Sequence, residues 1–210
     1  KIMARVTTNT LIYALSTTIL KTVFGLIFAL ILNNKYFYGW VRNSARVSIF
    51  FPYLVAMSYV ALIWSFMFSK DMGVINYYLN RFGIAPVPWF TDTRRALGML
   101  IALDVWKNMG YAMLIYLAGL QGISSEYYEA GRIDGASRWQ LTKHITLPLL
   151  RPTKIMLIIL HTIFGLQAFD SMSVITQGGP GNSTRSVLLY IYEKAFKGYD
   201  MGYSSALSVL

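Results

Sequence analysis

The sequence predicts an all-α integral membrane protein, a polytopic bundle of helices. Three observations carry this. Apolar residues cluster into runs long enough to cross a bilayer. Charged residues make up only 13% of the chain and hydrophobic ones 55%, whereas soluble domains hold about 25% and about 45–50%. The mean hydropathy is +0.47.

Charge and cysteine content narrow the function classes. The formal charge is +10, from 19 Lys and Arg against 9 Asp and Glu. In a soluble domain this balance points to nucleic acid. Here the basic residues mostly flank apolar runs, where anionic headgroups and the positive-inside bias account for them. The chain has no Cys, which excludes disulfides and thiolate metal sites. No cleavable signal pattern precedes the first run. The chain starts without Met and stops inside a new apolar run, so it reads as a fragment of a longer protein.

The first span is expected over residues 7–32, interrupted only by Lys21. At roughly 1.5 Å per residue such a helix crosses a ~30 Å hydrocarbon core. Lys21 snorkels, faces a cavity or pairs with a carboxylate, and an inward structural role is the expectation. Residues 33–46 follow as a polar connector with Lys35, Arg42 and Arg46, and with Tyr36, Phe37, Tyr38 and Trp40 as interfacial aromatics. The second span is expected over 47–68, with a bend or break at Pro52, where backbone groups lose partners. Residues 69–95 form a longer loop, with a short surface helix over 76–82 and a rigid turn at Pro86, Pro88 and Trp89.

The third span, 96–122, carries Asp104, Lys107 and Asn108. Asp104 shares a helix face with Lys107 and with Asn108. Charges at this depth are costly and face inward. An internal Asp104–Lys107 pair and a place on a solute path both remain open. The fourth span, 152–176, holds His161, Gln167 and Asp170. The tight loop Gln177-Gly178-Gly179-Pro180-Gly181-Asn182 lacks the Lys-Ser/Thr of a phosphate-binding loop. An amphipathic segment follows over 183–198, and 201–210 begins a truncated fifth helix. No internal repeat is present. The architecture is four full spans and the start of another, in one transmembrane domain over 1–210.

The loop 123–152 is the only long polar stretch between strongly apolar ones, and it carries its own punctuation. Ser125 is the expected N-cap of a short helix with Glu126 and Glu129 in its first turns. Gly135 follows Asp134 as the residue past the helix end. Ser137 and Gln140 stand at capping-box spacing and open a second helix, which Pro148 and Pro152 end. This knuckle offers no nucleophile with a base and no metal-ligand spacing. It is built for docking, with Trp139 as an aromatic anchor and Arg132, Arg138 and Lys143 to orient it.

The run Glu129-Ala130-Gly131-Arg132-Ile133-Asp134-Gly135-Ala136, followed by Ile145-Thr146-Leu147-Pro148, resembles the EAA loop of bacterial ABC-importer permeases. It departs from that pattern at Gly131, which replaces the motif's second Ala, and at Thr142, where many members have an aromatic. Asp104-Val105-Trp106-Lys107, Leu117-Ala118-Gly119-Leu120-Gln121 and Gln177-Gly178-Gly179-Pro180-Gly181 look like the sugar-importer branch, maltose-transporter type, in the partner that bears the Gly-Gly-Pro loop. The resemblance covers nearly the whole chain.

The resemblance implies a type I importer permease fold in the bacterial cytoplasmic membrane, with the loop 123–152 on the cytoplasmic side. Charge counts do not orient the chain, since one set of loops holds eight basic residues and the other seven. It implies a second permease subunit, two ATPase subunits and an extracytoplasmic solute-binding protein as partners. The chain itself has no Walker A sequence, so it is not expected to be an enzyme. ATP and Mg belong to the partner ATPase, and this chain is expected to hold no cofactor and no metal. The coupling contacts implied are Glu126, Glu129, Ala130, Arg132, Asp134, Gly135, Ala136, Trp139, Ile145, Leu147 and Pro148, with Gly135 as a hinge-like point. The solute-path positions implied are Tyr53, Met57, Asp104, Lys107, Asn108, Tyr111, His161 and Gly165. Of these only Tyr53 and Tyr111 keep an aromatic able to stack on a sugar. An acidic or phosphorylated solute, such as glycerol 3-phosphate or a uronate oligosaccharide, is the alternative cargo. A passive channel or structural subunit is the alternative class.

Overall fold

The computed structural model describes residues 2–33 and 38–209. Lys35, Tyr36 and Phe37, expected in the first connector, lie outside the described residues. Helices and connecting turns make up the whole of the described chain, without a strand. It forms two compact units, one of residues 18–54 and 105–161, the other of residues 1–17, 55–104 and 162–210.

The first helix, α1 (Ile2–Asn33), is a continuous run without proline. Its buried stripe is mostly small or polar, with Thr10, Ala14, Thr17, Lys21 and Ala29 between Val6, Tyr13 and Leu32, while Leu11, Leu15, Ile19, Val23, Ile27 and Ile31 are exposed. A water-soluble helix does the reverse. Close packing on small residues with branched apolar ones turned outward is the pattern of a helix in lipid. Lys21 is 2% exposed, so its ammonium lies inside the protein.

In the unit of residues 18–54 and 105–161, α1 packs with α2 (Gly39–Leu54) and α5 (Ala96–Gln121) around Ala29, Leu32, Ala112, Met113, Tyr116, Leu117, Leu150 and Leu157. The approach is closest at two glycines. A Cβ on Gly25 would collide with the Ala112 methyl, and one on Gly110 with the Ile49 carbonyl. The connector is shorter than expected, because α2 begins at Gly39 and takes in Arg42 and Arg46. Arg46 Nη2 donates to the Leu32 carbonyl at 2.9 Å, satisfying one of the carbonyls left open at the end of α1.

The second expected span is broken, though not at Pro52. That residue lies inside α2, and the helix ends at Leu54. A proline disturbs the turn before it, while the N–H groups after it remain available to continue the helix. Ala56, with φ −59° and ψ 141°, then opens α3 (Met57–Met67).

In the unit of residues 1–17, 55–104 and 162–210, α3 packs through Val60 and Ala61 on Leu103, with Val55, Met57 and Trp64 beside them. Tyr13, Leu100, Ala168, Met172 and Leu189 form a second cluster. The short surface helix is α4 (Val74–Arg81).

The fourth expected span is also broken. After α6 (Ser125–Ile133), α7 (Arg138–Leu141) and α8 (Leu147–Leu149), α9 covers Arg151–Leu166, and helical structure resumes at Asp170, leading into the π-helical turn Met172–Thr176. Ser186 Oγ donates to the Ala168 carbonyl at 2.6 Å and accepts from Leu189 N at 3.1 Å, so the backbone freed at the break finds a partner inside the protein. Then come α10 (Val187–Tyr192) and, after Asp200, α11 (Met201–Ser208). Among the described residues only α1 is long and apolar enough by itself to cross a membrane. Up to three spans result if Gly39–Leu54 with Met57–Met67, and Arg138–Leu149 with Arg151–Leu166, each count as one.

Candidate functional site

The polar knuckle folds as its turn chemistry dictates. Its N-cap is Ser124 rather than Ser125, and the Ser124 hydroxyl accepts from Glu126 N at 3.3 Å. The neighbouring serines carry the same chemistry, so their order alone did not separate them. At the far end of α6, Gly135 has φ +79°. Its N–H donates to the Arg132 carbonyl at 3.0 Å, and Ala136 N donates to the Gly131 carbonyl at 2.9 Å. This pair of bonds is the Schellman arrangement, which needs a left-handed residue where glycine stands. Ser137 and Gln140 then close a reciprocal capping box, with Ser137 N on Gln140 Oε1 at 2.7 Å.

The second helix does not stop at Pro148. After α7 it widens into the π-helical turn Thr142–Thr146, where Leu147 N reaches back to the Thr142 carbonyl, and α8 carries Pro148 within it. A wider turn relieves the crowding that a proline ring imposes on the carbonyl four residues earlier.

Two contacts fix α6 against this turn. Tyr128 Oη and Thr146 Oγ1 stand 3.1 Å apart. At Gly131 an added Cβ would sit 2.6 Å from Leu141 Cδ2 and 3.2 Å from Ile145 Cδ1. Glycine in place of the motif's alanine therefore tightens the helix approach rather than loosening it.

Of the expected coupling residues, Glu126, Glu129, Ala130, Arg132, Asp134, Gly135, Trp139 and Pro148 are exposed, whereas Ala136, Ile145 and Leu147 are half-buried. Ile145 and Leu147 belong to the inner side of the knuckle. Two exposed residues escaped the sequence reading. Ile133 is 86% exposed and Tyr127, on the same helix, 56%, so both are exposed apolar or aromatic side chains like Trp139 at 70%. An isoleucine ending an otherwise charged helix was the available signal.

The expected solute-path residues divide between the two units. In the unit of residues 18–54 and 105–161, Tyr53 and Tyr111 stack on each other, with centroids 4.9 Å apart and planes 17° from parallel. Lys107 Nζ donates to the Tyr53 carbonyl at 3.1 Å and lies 5.3 Å from the centre of its ring. The rings of His161 and Tyr111 meet edge to face, with centroids 6.5 Å apart. His161 is 1% exposed, and its Nδ1 lies 3.3 Å from Thr22 Oγ1. Asn108 is half-buried on the same helix as Lys107. The two aromatics expected to stack on a sugar thus use a face on each other.

In the other unit, Met57 packs beside Val60, Ala61 and Leu103. Asp104 is buried in α5. Gly165 serves helix packing, since a Cβ there would stand 2.8 Å from Ala14 Cα and 3.1 Å from Ala14 Cβ. The Gly-Gly-Pro loop is held from α1. Arg5 Nη1 donates to the Gly181 carbonyl at 3.1 Å, and Asn9 Nδ2 to the Asn182 and Arg185 carbonyls at 2.8 and 3.2 Å. Among the described residues no group of three or more His, Asp or Glu is placed to hold a metal ion.

A family model described as "Binding-protein-dependent transport system inner membrane component" matches residues 21–208. The chain belongs to that family. Its similar members include the trehalose/maltose transport system permease protein MalF of Thermococcus litoralis, 40% identical over 91% of this chain and 63% of that protein. The sulfoquinovosyl glycerol transport system permease protein SmoG of Agrobacterium fabrum is 36% identical, over 97% of this chain and 65% of that one. The chain thus spans less than two thirds of the length of these relatives. A bacterial ABC transporter that imports the acidic polysaccharide alginate shares the fold, with a TM-score of 0.91 at 24% identity, over 100% of this chain and 73% of that one. For this binding-protein-dependent transport component, the interrupted helices lie within the region that shares that fold. Non-helical backbone at membrane depth is tolerated where protein surrounds it.

Proposed function

We propose that this chain is the membrane-spanning subunit of an ATP-driven importer of a sugar or oligosaccharide. In this reading residues 126–149 dock into a separate ATPase subunit in the cytoplasm. The observation that carries the reading is the knuckle itself. Its backbone is locked by a Schellman turn and a capping box, while Ile133 and Trp139 stand outward from it. A rigid body with exposed apolar anchors is suited to transmit force, since little of the partner's motion is lost in bending it.

The same reading assigns the cargo. MalF, SmoG and the arabinooligosaccharides permease AraP of Halalkalibacterium halodurans all carry sugar-linked names. The stacked Tyr53–Tyr111 pair and the polar atoms of Asn108 and His161 supply aromatic surface and hydrogen-bonding groups of the kind hydroxyl-rich ligands use. Lys107 is engaged by the Tyr53 carbonyl and ring, which favours a neutral sugar over an acidic solute. ATP closure of the ATPase pair pulls on the knuckle, and the helices move between inward and outward states. The second permease subunit and the extracytoplasmic binding protein complete the assembly in the bacterial cytoplasmic membrane.

The test is ATP-dependent uptake of a panel of neutral and acidic sugars by proteoliposomes holding the complete complex and its binding protein. Uptake of neutral sugars is expected. Uptake restricted to acidic solutes, or uptake without ATP, would overturn the assignment.

A further inference from the structure

The short helix α4 is inside out. Its one buried residue is polar, Asn76, at 3% exposure. The opposite face carries Val74, Tyr78 and Phe82 at four-residue intervals with Tyr77 beside them, all exposed, Phe82 at 81%. Met72 and Ile84 extend this patch at either end, and Met72 is 92% exposed. Asn76 is a hub. Its Nδ2 reaches the carbonyls of Ser69 at 3.2 Å, Lys70 at 3.1 Å and Val87 at 2.9 Å. Its Oδ1 accepts from Val87 N at 3.0 Å and from Trp89 Nε1 at 3.1 Å. The polar groups are thus turned inward to organise the loop, and the greasy ones are turned out.

We propose that α4 is an interfacial anchor, its Val74–Tyr78–Phe82 face lying in the headgroup layer of the bilayer. Three observations select lipid over a protein partner. The segment 72–91 holds aromatic and apolar residues with a single charge, Arg81, and no carboxylate, and Arg81 sits over the Tyr77 ring at 5.4 Å. Tyrosines and a lone cation are the composition of membrane interfaces. The anchor also continues a membrane-facing surface, because α3 just before it exposes Tyr59, Leu62, Ile63 and Phe66. Finally it is tied to the end of α3 by an aromatic ladder. Phe68 stacks on Trp64 at 4.9 Å and meets Trp89 at 5.7 Å and Phe90 at 6.2 Å. The anchor therefore sets the depth at which α3 ends, whatever solute the protein carries.

The chain has no cysteine, so single thiols in it are addressable. Tyr78→Cys, Phe82→Cys and Asn80→Cys, each labelled with an environment-sensitive fluorophore, are compared in the complete complex in vesicles that contain headgroup-proximal nitroxide lipid. Asn80 is exposed on the helix flank away from the patch. Assembly of each labelled complex is verified by size-exclusion chromatography, and a position that fails is replaced by Tyr77→Cys. Loss of emission at 78 and 82 with retention at 80 is the expected result. Equal quenching of all three positions by an aqueous quencher would overturn the proposal. So would protection of 78 and 82 that arises only when the solute-binding protein is added, which would make the patch a protein-docking face.

Discussion

The Tyr128 hydroxyl meets the Thr146 hydroxyl at 3.1 Å, joining α6 to the π-helical turn that follows α7. Together with the fit of Gly131 beneath Leu141, this contact makes two short helices into one rigid piece. Its rigidity is what a coupling role requires, and it can be perturbed one contact at a time.

Gly131→Ala places a methyl against Leu141 Cδ2. Overpacking of this kind costs typically about 1–3 kcal/mol, and less where the neighbour can turn aside. A lowered melting temperature of the purified complex is expected, with partial recovery in the double variant that adds Leu141→Val. A double variant no more stable than Gly131→Ala would show that the two residues are not in contact.

Trp139→Ala removes an exposed anchor. Surface substitutions change folding stability by only about 0.5 kcal/mol, whereas a buried interface anchor contributes about 2 kcal/mol or more to binding. Weaker retention of the ATPase subunit at unchanged permease stability is therefore expected, read by co-purification over a dilution series. Undiminished retention would place the docking contact elsewhere.

Tyr111→Ala loses the stack on Tyr53, which is 4.9 Å away, and with it about 0.5–1.5 kcal/mol. Tyr111→Phe keeps the ring. Uptake kinetics should show a raised half-saturation concentration for the alanine variant and near-normal values for phenylalanine. Equal effects of the two would assign the role to the hydroxyl instead of the ring.

Asn76→Ala strips partners from Val87 N and the Trp89 indole in the turn after α4. A fully buried group left unsatisfied costs about 1–3 kcal/mol, and these part-buried ones fall toward the lower end. Faster proteolysis within residues 83–91 is the expected outcome. An unchanged cleavage pattern would mean that the turn is held without this hub.

Legibility in the sequence followed the range of each interaction. Gly135, Ser137 and Gln140 could be read because their partners lie within a turn of them. The continuous helix expected over 96–122 was legible as α5, whose turns are held by neighbours four residues away. The break after Leu166 was not, because the hydroxyl that satisfies the Ala168 carbonyl comes from Ser186, in a later helix. The close approach of Gly165 to Ala14, far away in the chain, was not legible either. The contact of His161 with Thr22 and the Tyr53–Tyr111 stack are long-range for the same reason. The polar, aromatic inventory of the candidate path was visible in advance, and its pairing was not.

Gly135 concentrates the coupling proposal in one residue. At φ +79° a β-branched side chain is strained by roughly 1–2 kcal/mol, although space around the position is open. The decisive measurement is ATP hydrolysis and sugar uptake recorded together in proteoliposomes of the complete complex, wild type against Gly135→Val. Hydrolysis that continues while uptake is lost is the expected result. Normal uptake, coupled to hydrolysis as in the wild type, would contradict a coupling role for the knuckle.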